Sequence, residues 1–255
     1  MKKIRSPFSF LLRISVLFLF TLIISCRKKE AVIPVGSVPV DSSMMPVSTD
    51  SSSSDTDSSA KTFLALGDSY TIGQSVDSSQ RFPAQVAALL LKQNIKVVPI
   101  NYIATSGWTT TDLKSAIEVR KPQGPFDIVT LLIGVNDQYQ TGDTTNYRSR
   151  FADLLNTAIS LAVFKNHVFV LSIPDYGVTP FGSGRPGVSE QIDLFNQINK
   201  EVTDSYGISY TSITEISRAD VGDNTMLAGD ELHPSGKQYA QWVQLLEPKI
   251  YEVLK

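Results

Sequence analysis

From residue 61 onward the chain alternates short apolar runs with longer amphipathic segments, and no other feature constrains its fold as much. Residues 62–66, 96–101, 127–133, 167–173 and 208–211 have the length and apolar character of strands. Residues 80–93, 109–119, 146–164, 188–206 and 234–254 read as helices between and after them. Runs that are apolar on both faces and separated by helices predict a parallel sheet covered on both sides. The expected fold class is α/β, a three-layer sandwich with a doubly wound sheet of five parallel strands and helices on both faces.

The first 60 residues are different material. Lys2, Lys3, Arg5 and Arg13 precede an apolar stretch over 14–25, the basic and apolar regions of a secretory signal. A membrane span needs about 20 apolar residues, more than this stretch offers. It ends Ile23-Ile24-Ser25-Cys26, which resembles a bacterial lipobox. That resemblance implies removal of residues 1–25, lipidation of Cys26 and a membrane partner through the lipid, since two or more chains anchor stably. A simple signal peptide with a chance cysteine, or an uncleaved anchor, are the other readings. Arg27 stands where an inner-membrane retention signal has Asp, so the expected location is the outer membrane of a bacterial envelope. Residues 31–60 hold ten Ser, four Asp and three Pro, with no aromatic, Lys or Arg. Such a segment buries too little apolar surface to offset its ordering entropy. The expected organisation is a signal over 1–25, a flexible tether over 26–60 spanning about 30 Å, and one domain over 61–255.

Composition excludes several functions. A net charge of −2 gives no polyanion-binding surface, so nucleic acid is not an expected partner. Cys26 is the only cysteine, which rules out an intrachain disulfide. With only His167 and His233 beside it, a Cys/His zinc site is not expected, and neither is any other metal or organic cofactor. Oligomeric state is not legible.

In open parallel sheets ligands bind beyond the carboxyl ends of the strands. There the chain places Gly67-Asp68-Ser69-Tyr70 after the first run, Ala104-Thr105-Ser106-Gly107-Trp108 after the second and Gly134-Val135-Asn136-Asp137 after the third. Asp230-Glu231-Leu232-His233-Pro234 precedes the last helix. A serine hydroxyl needs a base to become a nucleophile, and His233 can serve. Asp230 can fix the imidazole tautomer and stabilise its cation. Pro234 suits the first turn of the helix that follows. The oxyanion formed by attack needs preorganised donors; the backbone N–H groups of Ser69 and Gly107 and the side-chain amide of Asn136 are candidates.

These four blocks, in this order, resemble those of the SGNH/GDSL hydrolases. Ser69, Gly107, Asn136 and His233 match the residues that name the group, and Asp230 matches its triad acid. The resemblance runs from about residue 63 to 239 and implies a sheet of flavodoxin-like order. Tyr70 follows the serine where many members carry Leu. No Gly-x-Ser-x-Gly surrounds Ser69, which excludes an α/β-hydrolase elbow.

Singly, Ser69 reads as a helix cap and Asn136 as a turn residue. Asp68, Asp137 and His167 read as structural and Glu231 as facing water. Trp108, Tyr70, Tyr139 and Phe181 read equally as a rim to the site and as ordinary packing, and Arg185 reads as a solvated loop charge ahead of a contact for an anionic substrate. The expected activity is carboxylic ester hydrolysis through an acyl-serine, on a small-molecule or glycan ester, with deacetylation of extracellular glycans fitting the anchor. A lysophospholipase, a thioesterase or an acyltransferase would use the same triad. A non-catalytic binding lipoprotein is the reading from another class, although a pseudoenzyme is expected to have lost Ser69 or His233.

Overall fold

The computed structural model describes residues 60–255. The expected signal, Cys26 and all but the last residue of the expected tether lie outside the described residues.

Strand β1 (Lys61–Gly67) is second from the edge of a five-stranded sheet, between β2 (Val97–Ala104) and β3 (Ile128–Leu132). Beyond β3 follow β4 (Val168–Leu171) and β5 (Ser209–Thr211), giving the order β2-β1-β3-β4-β5. Every pairing is parallel, which is the expected flavodoxin-like arrangement. The chain steps outward from β1 to β2 and then returns across β1 to β3. Right-handed crossovers therefore send the first helix to one face and the later ones to the other. Accordingly α2 (Phe82–Lys92) packs with α8 (Gly236–Leu254), while α5 (Tyr147–Leu161) packs with α3 (Thr110–Arg120) and α6 (Val188–Ser205). The reversal between β1 and its two neighbours opens a crevice at their carboxyl ends.

The interior strand β3 is buried along its whole length, whereas β2 lies at the edge, with Val98 and Pro99 exposed. An edge strand tolerates proline because one of its sides needs no N–H. The strand also continues past Asn101: Tyr102, Ile103 and Ala104 pair with Ala65, Leu66 and Gly67. That extension delivers the Gly107 loop to the crevice. The fourth strand is shorter than its apolar run. His167 belongs to the turn before it, and its Nδ1 lies 2.6 Å from the Asp127 carbonyl, a structural tie.

Three short helices have no counterpart in the sequence pattern: α1 (Ser69–Ile72), α4 (Val135–Gln140) and α7 (Thr214–Ala219). None is long enough to show a helical period. Pro234 is a correction. The last helix starts at Gly236, capped by Ser235, whose Oγ accepts from Gln238 N at 3.3 Å. Pro234 instead pairs with Leu227 in an isolated antiparallel bridge that closes the loop carrying His233. No helix among the described residues is long and apolar enough to cross a membrane.

Candidate active site

Ser69 opens α1 directly beyond β1 and is 5% exposed. The glycine before this turn is required by space. A Cβ on Gly67 would sit 2.1 Å from Thr71 Oγ1 and 2.3 Å from the Leu132 carbonyl, so only glycine lets β1 end this close to β3. Asp68 caps the helix, accepting from Tyr70 N at 3.0 Å. Burial pushes its carboxyl up to about 8, with the charge of Asp137 adding to the effect and the Tyr70 N–H opposing it. The helix is braced from α8: Tyr239 donates its hydroxyl to the Tyr70 carbonyl at 2.9 Å, and the Tyr70 ring packs against Trp242.

Asp230 builds the turn that holds His233. Its Oδ1 accepts from Leu232 N at 3.1 Å and His233 N at 2.9 Å. The left-handed backbone of Glu231, at φ 58°, and an Ala228 N–H to His233 carbonyl bond of 2.7 Å tighten the loop. The second carboxylate oxygen lies 2.7 Å from His233 Nδ1. A carboxylate only accepts, so Nδ1 carries the proton and Nε2 keeps its lone pair. Partial burial pushes the Asp230 carboxyl up, but hydrogen bonds from Ser75, His233 and Leu232 outweigh it and bring it down to about 2. The His233 ring is buried beside Tyr70, with centroids 5.2 Å apart.

Two further blocks reach the same place. Gly107 has φ 84°, and a Cβ there would have nothing within 4 Å. Left-handed backbone and open space, rather than crowding, call for glycine here. Among the described residues nothing accepts from the backbone N–H of Ser69 or Gly107. Asn136 and Gln140, one turn apart on α4, both grip this loop. Asn136 Nδ2 donates to the Trp108 carbonyl at 3.0 Å, and Gln140 Nε2 donates to the Gly107 carbonyl at 3.1 Å. An amide nitrogen carries two hydrogens, so Asn136 retains one donor. Asp137 ties α4 to α3, accepting from Thr110 N and Oγ1 at 2.8 and 2.6 Å and pairing with Arg150. It is structural, as expected.

Ser69, Gly107, Asn136 and His233 line one cavity of about 180 Å³, with Asp230 behind the imidazole. Of the expected rim, Tyr70, Tyr139 and Phe181 also line it. The Arg185 guanidinium lies 4.8 Å over both exposed rings. Trp108 is not in this wall; it lies under the Arg120 guanidinium. Two residues that the sequence did not single out complete the surroundings. Gln74 accepts from the hydroxyl of Ser106, beside Gly107, and Ser75 donates to Asp230 Oδ2 at 2.6 Å. Adjacent residues after α1 thus hold the loops on either side of Ser69. Among the described residues no group of three or more His, Cys, Asp or Glu side chains is placed to hold a metal ion.

Known proteins agree with this architecture. Residues 65–241 match the GDSL-like lipase/acylhydrolase family. No curated protein matches the chain significantly. Among solved structures, TesA superimposes with a TM-score of 0.60 at 17% identity, over 76% of this chain and 99% of that one. An acetylxylan esterase from Geobacillus stearothermophilus, Axe2, gives 0.57 at 20% identity over 75% and 94%. A lipase/acylhydrolase from Enterococcus faecalis gives 0.58 at 21% over 75% and 96%. At such identities these structures speak for the fold alone. The family match covers most of the chain, and on that ground the chain belongs to the GDSL-like lipase/acylhydrolase (SGNH) family and is a carboxylic ester hydrolase.

Proposed function

We propose that the protein hydrolyses esters of short carboxylic acids through an acyl-serine, with Ser69 as nucleophile and His233 and Asp230 as base and orienting acid. The observation that carries this reading is the 2.7 Å contact from His233 Nδ1 to Asp230 in a ring that lines the same cavity as Ser69. Nε2 takes the proton of Ser69 Oγ as the oxygen adds to the ester carbonyl. The N–H groups of Ser69 and Gly107 and the free hydrogen of Asn136 receive the oxyanion. Collapse expels the alcohol, which takes its proton from the imidazolium. Water then attacks the acyl-serine with the same base.

The small cavity supports a short acyl group over a long chain. An acetyl ester on an extracellular glycan combines that size with the lipoprotein reading of residues 1–26. The full-length protein and Ser69→Ala, assayed on p-nitrophenyl acetate, butyrate and octanoate and on an acetylated oligosaccharide, test the mechanism. Wild type alone should turn over, fastest on acetyl, and a fluorophosphonate probe should label Ser69. An active Ser69→Ala protein removes Ser69 from the mechanism. Export and anchoring are tested by palmitate labelling of cells, which Cys26→Ser should abolish.

A further inference from the structure

A second cavity, of about 260 Å³, adjoins the catalytic one. It lies between the loop after β4 and the segment that leads from α7 to His233. The two cavities share Tyr70, Tyr176 and Leu232 as walls. The second is lined by Leu232 and Pro234, the neighbours of His233 in the chain, and by neither Gly107 nor Asn136. It therefore lies on the side of the base and away from the oxyanion donors. That is where the leaving alcohol goes, because its oxygen receives the proton held by His233.

The shared wall carries an unused polar group. Tyr70 is 3% exposed, yet among the described residues nothing hydrogen-bonds its hydroxyl. The other two shared walls are already satisfied: the Tyr176 hydroxyl donates to Gln138 Oε1 at 2.8 Å, and Leu232 is apolar. The oxygen itself is not sealed among the buried, unpartnered atoms, so it stays free to bond a hydroxyl that enters the cavity.

The rest of the lining selects among alcohols. It holds no Lys, Arg or His, but includes Asp175, Asp220 and Asp223 beside the apolar Val221, Met226 and Leu227. Arg218 neutralises Asp175 at 2.9 Å and Lys237 meets Asp223 at 3.1 Å, while among the described residues the Asp220 carboxylate receives only the amides of Gln238 and Gln241. Such a wall repels a phosphate headgroup. It suits a neutral ring with hydroxyls at its edge and C–H groups on its faces.

We propose that this second cavity binds the alcohol portion of the ester, a neutral sugar residue, and that the Tyr70 hydroxyl bonds that sugar at the junction of the two cavities. The proposal rests on the ester-hydrolase reading above and deepens it: a short acyl group in the catalytic cavity, a sugar in the neighbouring one.

The test compares a monoacetylated methyl xyloside with ethyl acetate, using the full-length protein. Wild type should prefer the sugar ester. Val221→Trp, at an exposed position that does not line the catalytic cavity, should fill the second one and cut the preference about tenfold or more, through KM. Tyr70→Phe keeps the ring and should cut the preference about three- to tenfold, the worth of one hydrogen bond. Both esters falling together, or an unchanged preference in both variants, overturns the proposal while wild-type turnover leaves the hydrolase reading standing. Preference for acetylcholine over the xyloside, lost in Val221→Trp, assigns a cationic alcohol and overturns the sugar. No turnover of either ester by wild type is the failure of the hydrolase reading itself.

Discussion

Ser75 and His233 share one oxygen of Asp230: the Ser75 hydroxyl donates to Oδ2 at 2.6 Å and His233 Nδ1 meets it at 2.7 Å. Ser75 holds this position with a left-handed backbone, φ 65°, uncommon for a residue with a Cβ. Its hydrogen bond stabilises the carboxylate charge, so the carboxylate pulls less strongly on the imidazole proton. Ser75 also fixes the position of that oxygen, so Ser75→Ala should lower kcat about three- to tenfold through looser placement of Asp230, the worth of one hydrogen bond. It should also move the rise of activity with pH to higher pH, because the barer carboxylate favours the imidazolium. Ser75→Gly, which lacks the hydroxyl but suits the backbone, should shift the profile equally. A shift confined to the alanine variant would assign the effect to backbone strain.

Asp230 sets a second expectation. Its carboxyl is held at about 2, below the ordinary value of 3.8, so the charged form is favoured by folding. For a depressed acid, the stabilisation is complete above the unfolded value and is lost as pH falls through the folded one. The acid therefore remains ionised wherever the enzyme is active, and an acid-side loss of activity above that value is not its titration. The pH–rate profile should rise through a single ionisation that begins well above pH 2. Asp230→Asn should lower kcat by about 10³–10⁴, through loss of the required tautomer, with little change in KM. A second ionisation on the acid side of the wild-type profile, absent from the variant, would show Asp230 titrating in the active range.

How much of this was legible follows from the range of the interactions. The strands and long helices carry their period in neighbouring residues, and the four strand-end blocks carry their chemistry in adjacent letters. Ser75 gave no such signal, because its partner lies 155 residues away. Gln140 was hidden because α4 is too short for a period, although it is this helix that sets Asn136 and Gln140 on one side. The far end of β2 was missed because Pro99 and Asn101 read as the end of a strand, while pairing with β1 carries it on to Ala104. Tertiary contact, not local propensity, decided each case.

The grip of α4 on the Gly107 loop separates donation from positioning. Asn136→Ala removes a candidate oxyanion donor and should lower kcat by about 10²–10³. Gln140→Ala removes only the 3.1 Å bond to the Gly107 carbonyl. It should cost about three- to tenfold, the scale of one ordinary hydrogen bond. Steady-state kinetics on p-nitrophenyl acetate decide the matter. Equal losses would mean that Asn136 acts only by holding the loop.

Asp68, between Gly67 and Ser69, makes the last expectation one of stability. Its carboxyl is fully buried, and burial lifts it to about 8. The folded chain thus keeps a proton that the unfolded chain releases above about pH 4. A group that binds its proton more tightly when folded loses its contribution as pH rises. The contribution of Asp68 is greatest below pH 4, declines as pH rises and reaches its minimum above about 8. Asp68→Asn keeps an oxygen to accept from Tyr70 N and cannot ionise. Between about pH 5 and 9, the melting temperature of wild type should therefore fall relative to that of the variant. Activity at pH 7 should survive, since the group replaced is neutral there. Parallel melting curves across this range would show that Asp68 carries its charge in the folded protein, with a partner for that charge at the base of the Ser69 turn.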